Sequence, residues 1–251
     1  MTTATRNAGT SGTFLNSRAV GIAGILAGVG LAFEFVFFSI SGFGQATFNN
    51  PATAMTFLRD HGSFVRIAVL FGAFGIVVTL IFVAGLADKL KGRTPTLAAA
   101  ILLFGIVGNV GDGLVALSFW TGIPTYVSLS ADNLSAAESS WPAFATLSSG
   151  YQAFGNLFLG LSVLATGWAI LSRRQLPLAL GVIATLAGLA ALISALASDG
   201  PLGFFGFATS ILMVIIFRIW TGIALLRGSS AGSESVGTPG SATQSVAHST
   251  S

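Results

Sequence analysis

The sequence predicts an all-α polytopic membrane protein: one domain, a bundle of six transmembrane helices, with both termini on the cytoplasmic side. Three observations carry this. Of 251 residues, 53% are hydrophobic and only 8% are charged, where a soluble domain carries roughly a quarter charged. The mean hydropathy is +0.85. The apolar runs are continuous over about twenty residues, the length a helix needs to span. Lipid offers the backbone no hydrogen bonds, so spans must be helices or a closed barrel. Barrel strands would alternate polar and apolar residues, and these runs do not.

The elements follow in order. Residues 1–18 are polar and hold Arg6 and Arg18. The first span, 19–41, is too long for a signal-peptide core and shows no clear cleavage site, so it reads as uncleaved. Next comes "NNPATAMTFLRDHG", a short helix with Asn50 as N-cap, Pro51 at the first helical position and Gly62 as the stop. The second span covers 64–86, and the turn after it holds Lys89, Lys91 and Arg93. The third span covers 96–119. A long loop, 120–144, follows without a single Lys or Arg. In it Ser135 precedes Glu138 at the spacing of a capping box. Asn133-Leu134-Ser135 matches a glycosylation sequon, a three-residue pattern that is common by chance. Trp120, Tyr126 and Trp141 are expected as an aromatic belt at the interface. The fourth span, 145–171, ends in Arg173 and Arg174. The fifth and sixth cover 177–197 and 203–226. From 228 to 251 the tail is small and polar, cannot bury a core and is expected to be disordered. Basic residues thus gather on alternate loops, which by the positive-inside rule places those loops and both termini in the cytoplasm.

Polar residues line up inside the spans. Gly105, Gly108, Asn109, Asp112 and Ala116 recur at helical spacing and share one face of the third span. The first span does the same with Ala23, Ala27, Gly30, Glu34 and Ser41, and the fourth with Ser149, Gln152, Asn156 and Gly160. Such stripes face other helices rather than lipid. At 1.5 Å per residue, Glu34 and Asp112 lie about 22–24 Å above the inner ends of their helices. Gln152 and Asn156 lie roughly 10–16 Å below the outer end of theirs. Arg66 starts the second span one or two turns above, so its guanidinium is expected to pair with Glu34 or Asp112. An ionisable group at the bilayer centre costs about 2.5–3.5 kcal/mol on insertion scales, and such groups usually line a cavity or pair. Glu34, Arg66, Asn109, Asp112, Tyr151, Gln152 and Asn156 are therefore the candidate ligand-binding set, around a pocket open to the outside.

A structural reading stands beside this one. The acids are then protonated packing residues, and the amides are interhelical hydrogen bonds worth about 0.6 kcal/mol each. Arg218, about 12 Å from the inner end of its helix and roughly 10 Å below the acids, is expected to snorkel to the cytoplasm. Gly24 and Gly28, Gly72 and Gly75, and the glycines of "GIVGNVGDGL" let backbones approach closely, within the bundle or between copies of the chain.

Much chemistry is excluded. The chain has no cysteine, hence no thiolate site or disulfide exchange. Its two histidines are His61 and His248, both outside the spans, so a bis-histidine haem and a Ser-His intramembrane protease are ruled out. No span carries a lysine for a Schiff base. No metal or cofactor is expected, and enzymatic activity is disfavoured. "GNVGDG" follows no strand, so it is not a phosphate loop.

The chain resembles uncharacterised six-span bacterial membrane proteins grouped as domain of unknown function 4386. The likeness covers roughly residues 15–227 and rests on "NSRAVGIAG", "SFVRIAVLFG", "ADKLKGRTPTLA", "GYQAFGNLFLGL" and "SRRQLPLALGVIATLAGL". It implies a multi-pass bundle in the bacterial cytoplasmic membrane and no substrate or site residues. The expected partners are the lipid bilayer and a small-molecule or ion ligand, with a second copy of the chain as a further candidate through the glycine-rich faces. Nucleic acid is not expected. The functional expectation is an integral membrane protein that binds or transports a small solute. The rival is a non-enzymatic scaffold or sensor acting through partner contacts.

Overall fold

A computed structural model describes residues 16–174, 176–197 and 200–231. The expectations for the polar N-terminus up to residue 15 and for the tail from residue 232 fall outside these residues. The described chain is all-helical: α1 (Ser17–Ser41), α2 (Gln45–Phe48), α3 (Pro51–Leu90), α4 (Pro95–Asp132), α5 (Leu134–Arg173), α6 (Leu178–Leu196) and α7 (Pro201–Ala231). All but α2 are long and apolar enough to cross a membrane. This is a multi-pass membrane protein.

The helices close into a ring. Each long helix packs on its neighbours in sequence, α7 returns to α1, and a lesser contact joins α3 to α5. Large apolar side chains such as Phe33, Leu70, Leu103, Leu117, Leu186 and Phe205 remain exposed around the outside, as a lipid-facing surface requires. Small residues set the helix crossings. A methyl group on Gly21 would lie 2.8 Å from the Gly222 carbonyl oxygen, and one on Gly188 would lie 2.8 Å from that of Gly160. Backbones this close gain van der Waals contact where the hydrophobic effect gives nothing. The ladder Val20–Gly85, Gly24–Phe82, Gly30–Gly75 and Glu34–Gly72 shows α1 and α3 antiparallel. Contacts of Gly21, Gly24 and Gly28 with Gly222, Arg218 and Ile215 show the same for α1 and α7. Lys89, Arg93 and Arg174 consequently share one end of the ring, the basic end, where they line a single open cleft.

The far end departs from expectation. Helix α3 does not stop at Gly62 but runs unbroken for 40 residues, and α4 and α5 run for 38 and 40. The segment read as a loop from 120 to 144 is helical except at Asn133. Three helices thus overshoot the apolar spans by about 15–20 Å. Pro124 and Pro142 lie inside α4 and α5. An aromatic core covers that cost. Trp141 is 1% exposed and is no interface belt residue. Its Nε1 donates to the Phe48 carbonyl at 2.7 Å, and Phe48, Tyr126 and Phe144 surround its ring at centroid distances of 5.6, 5.1 and 5.0 Å. Contacts of this kind add about 0.5–1.5 kcal/mol each beyond burial.

Caps explain the ends. Asn50 accepts from the Thr53 N–H at 3.1 Å, with Pro51 at the first position, as expected. The expected Ser135–Glu138 box gives way to Asn133, which accepts from the Ala136 N–H at 3.1 Å. Gly42 ends α1 at φ 77°, a left-handed turn that favours glycine, and so redirects the chain into α2.

Candidate functional site

The acids of the spans are seated on glycines. Glu34 of α1 lays its carboxyl against α3, where a methyl group on Gly72 would lie 2.6 Å from Oε1. Asp112 of α4 does the same on α5: a methyl on Gly155 would lie 2.6 Å from Oδ1. Gly108 and Gly111 bring α4 onto the backbone of Leu159 and Gly155, and that close crossing shapes the seat for Asp112.

Arg218 of α7 is the third charged residue deep in the spans. The charges of Glu34, Asp112 and Arg218 act on one another, although the three helices are not consecutive and α4 makes no substantial contact with α1 or α7. None of the three has a hydrogen bond or contact ion pair among the described residues, and each keeps part of its surface accessible. The contact ion pairs, Arg59–Asp60 and Lys91–Asp88, lie outside the spans. Near Arg218, Thr221 is fully buried with its Oγ1 unpartnered.

The expected pairing of Arg66 with an acid is corrected, and no direct ion pair joins Arg218 to Glu34 or Asp112 among the described residues. The Arg218 carbonyl packs at Gly24, ten residues before Glu34, so about 15 Å of helix rise separates the two backbones. Side chains on a helix lean toward its N-terminus. On α1 and α4 that lean carries the acids toward the basic end. On antiparallel α7 the same lean points the other way, toward the level of the acids.

Arg66 is engaged elsewhere. Its guanidinium carbon lies 4.2 Å from the Trp120 ring centroid, and its Nε is buried without a partner. Asn109 is buried and donates to the Gly105 carbonyl of its own helix at 2.7 Å. Asn156 donates to Ser194 Oγ at 3.3 Å, tying α5 to α6. Tyr151 and Gln152 are half-buried, one turn from Gly155 toward the far end. The structure thus seats Glu34 on Gly72 and Asp112 on Gly155, leaves Gln152 and Asn156 near the Asp112 seat along α5, and gives Asn109 and Arg66 other partners.

With all three ionised, the group carries two negative charges and one positive, a formal net of minus one. Held apart, it can take up a charged solute or pass charge between its members. A family model described as Domain of unknown function (DUF4386) matches residues 17–228. Among curated proteins and among solved structures, none matches the chain.

Proposed function

The chain belongs to this family of unknown function, and on that premise we propose that it binds a small ion or polar molecule inside its helix ring and moves it across the bilayer. One observation carries the reading: two acids within the spans, Glu34 and Asp112, are seated on the glycine backbones of neighbouring helices without contact pairing among the described residues. A purely structural role would favour contact, because an unpaired charge inside a membrane protein is costly. Charges held apart and accessible are poised for a partner that arrives from outside. The basic end is then cytoplasmic by the positive-inside rule, with the acids nearer the outer side.

Thermal unfolding of the detergent-purified protein tests this. Salts, amines, carboxylates and neutral metabolites are screened against wild type and Asp112→Asn. A ligand that binds the native state raises the midpoint. The expected result is a solute that stabilises wild type and not the variant. A screen in which no charge class shifts wild type would remove the reading, and the group would then serve only to hold helices.

A further inference from the structure

We propose that the cleft at the basic end of the ring is a phosphate site, and that its occupant is the headgroup of an anionic phospholipid. The proposal stands apart from the solute reading and uses none of its residues. The open cleft measures about 650 Å³ and is lined by Lys89, Gly92, Arg93 and Arg174. Three cations from two turns far apart in sequence thus share one space, and none of the described residues that line it is acidic. Asp88, the acid nearest in sequence, is held in an ion pair by Lys91. Lys89, Arg93 and Arg174 make no contact ion pair among the described residues. Like charges gathered without an acid repel one another, and an anion seated among them relieves that repulsion.

The backbone fixes where these cations sit. In the first turn three donors converge on the Leu90 carbonyl: the Arg93 N–H at 3.3 Å, the Thr94 N–H at 3.1 Å and the Thr94 hydroxyl at 3.0 Å. In the second, the Arg174 N–H donates to the Ile170 carbonyl at 2.8 Å. Arg174 also takes a left-handed conformation, φ 50°, which a residue with a Cβ adopts at a cost. Gly92 leaves its side of the cleft bare, with nothing within 4 Å of an added methyl. Helices α3 and α5 end at this level and α4 and α6 begin, so their dipoles oppose one another and the field of the cleft comes from its side chains. Guanidinium and ammonium groups give phosphate oxygens charge-assisted hydrogen bonds.

Depth selects a lipid as the source of that phosphate. Lys89 lies three residues past Leu86, where the second apolar run ends, about 4.5 Å of helix rise. Trp168 of α5, six residues before Arg174, is 66% exposed, as an indole at the membrane interface is. Leu178 and Val182 follow Arg174 on α6 and are exposed as well. The cleft therefore opens in the headgroup layer, with lipid-facing surface beginning beside it. Basic pockets between helices at this level suit anionic headgroups. A zwitterionic lipid brings the same phosphate with a cation of its own, which the cleft repels.

The test uses the full chain in an uncharged detergent at constant ionic strength. Bound lipid is counted by native mass spectrometry, and the unfolding midpoint is read in parallel. The probes are dioleoyl phosphatidylglycerol, dioleoyl phosphatidylcholine and sodium phosphate. Wild type is compared with Arg93→Gln, Arg174→Gln, Gly92→Glu and Arg227→Gln. Arg227 is exposed on α7 beyond Gly222, which packs on Gly21 at the start of α1; its variant loses a charge from the same end and no lining residue. Wild type is expected to retain phosphatidylglycerol saturably, in preference to phosphatidylcholine, and to gain in midpoint. Arg93→Gln and Arg174→Gln should each weaken retention about fivefold, the effect of one basic side chain near anionic headgroups. Gly92→Glu puts a carboxylate into open space in the cleft and should weaken it further, while Arg227→Gln leaves it unchanged. Should Arg174→Gln fail to fold, Arg93→Gln and Gly92→Glu decide. Equal retention of phosphatidylcholine, or unchanged retention in Gly92→Glu, overturns the proposal. So does a loss in Arg227→Gln as large as in Arg93→Gln, which would mean diffuse surface charge. Sodium phosphate that stabilises wild type and displaces phosphatidylglycerol overturns the lipid and assigns the cleft to a free phosphate.

Discussion

Gly111 and Gly113 lie two residues apart on α4, and the structure predicts opposite outcomes when each becomes alanine. At Gly111 the new methyl would lie 2.6 Å from the Gly155 Cα and 2.7 Å from its nitrogen. Both are backbone atoms, so no rotamer change relieves the clash and α4 must move off α5. At Gly113 nothing lies within 4 Å of the added carbon. Overpacking of a tight contact costs about 1–3 kcal/mol. Replacing glycine in an open helical position gains up to about 1 kcal/mol. Gly111→Ala is therefore expected to lose about 1–3 kcal/mol, and Gly113→Ala to be neutral or slightly more stable. Reversible unfolding in mixed micelles, read by circular dichroism, measures both. If Gly111→Ala proves as stable as Gly113→Ala, the α4–α5 crossing is not where the structure puts it, and the seat for Asp112 goes with it.

The remaining predictions concern the same end of the bundle and the site. Gly72→Ala pushes on the flexible end of Glu34 rather than on backbone; it should cost under about 1 kcal/mol in stability, below the roughly 1–3 kcal/mol of rigid overpacking, while weakening the ligand response several-fold in the thermal titration. Arg66→Gln removes a cation over Trp120 worth about 0.5–2 kcal/mol and should leave the ligand response intact. A lost response would return Arg66 to the site. Trp141→Phe leaves the Phe48 carbonyl without its indole donor and should destabilise by about 1–3 kcal/mol, with faster hydrogen exchange across residues 45–48. Asn50→Ala removes the cap of α3 at about 1 kcal/mol, seen as faster exchange over its first turn.

The aromatic far end and the interior charges fall on different sides of the structure, and their consequences separate. Trp141, Phe48 and Tyr126 set how three overlong helices hold together beyond the spans. They touch none of the three interior charges. Damage there should lower stability without altering which solutes raise it, whereas changes at Asp112 or Arg218 should alter the solute pattern first.

The sequence by itself determined the membrane class, the six apolar spans and the faces on which Glu34 and Asp112 lie, because hydrophobic runs and helical spacing are local properties. It also placed the Asn50 cap, another local signal. The tertiary structure decided the rest. Pro124 and Pro142 argue locally for a loop, since each removes a helical hydrogen bond; aromatic packing from α2, α4 and α5 outweighs them, and no window of sequence contains that packing. Arg218 reads locally as a snorkelling side chain. Only the antiparallel return of α7 onto α1 sets its side chain leaning toward the end of the ring where the acids lie. Arg66, the counter-ion that spacing suggested, found an aromatic ring closer to hand. Which charge meets which depends on helix order and direction around a closed ring, and those are settled by packing rather than by any one helix.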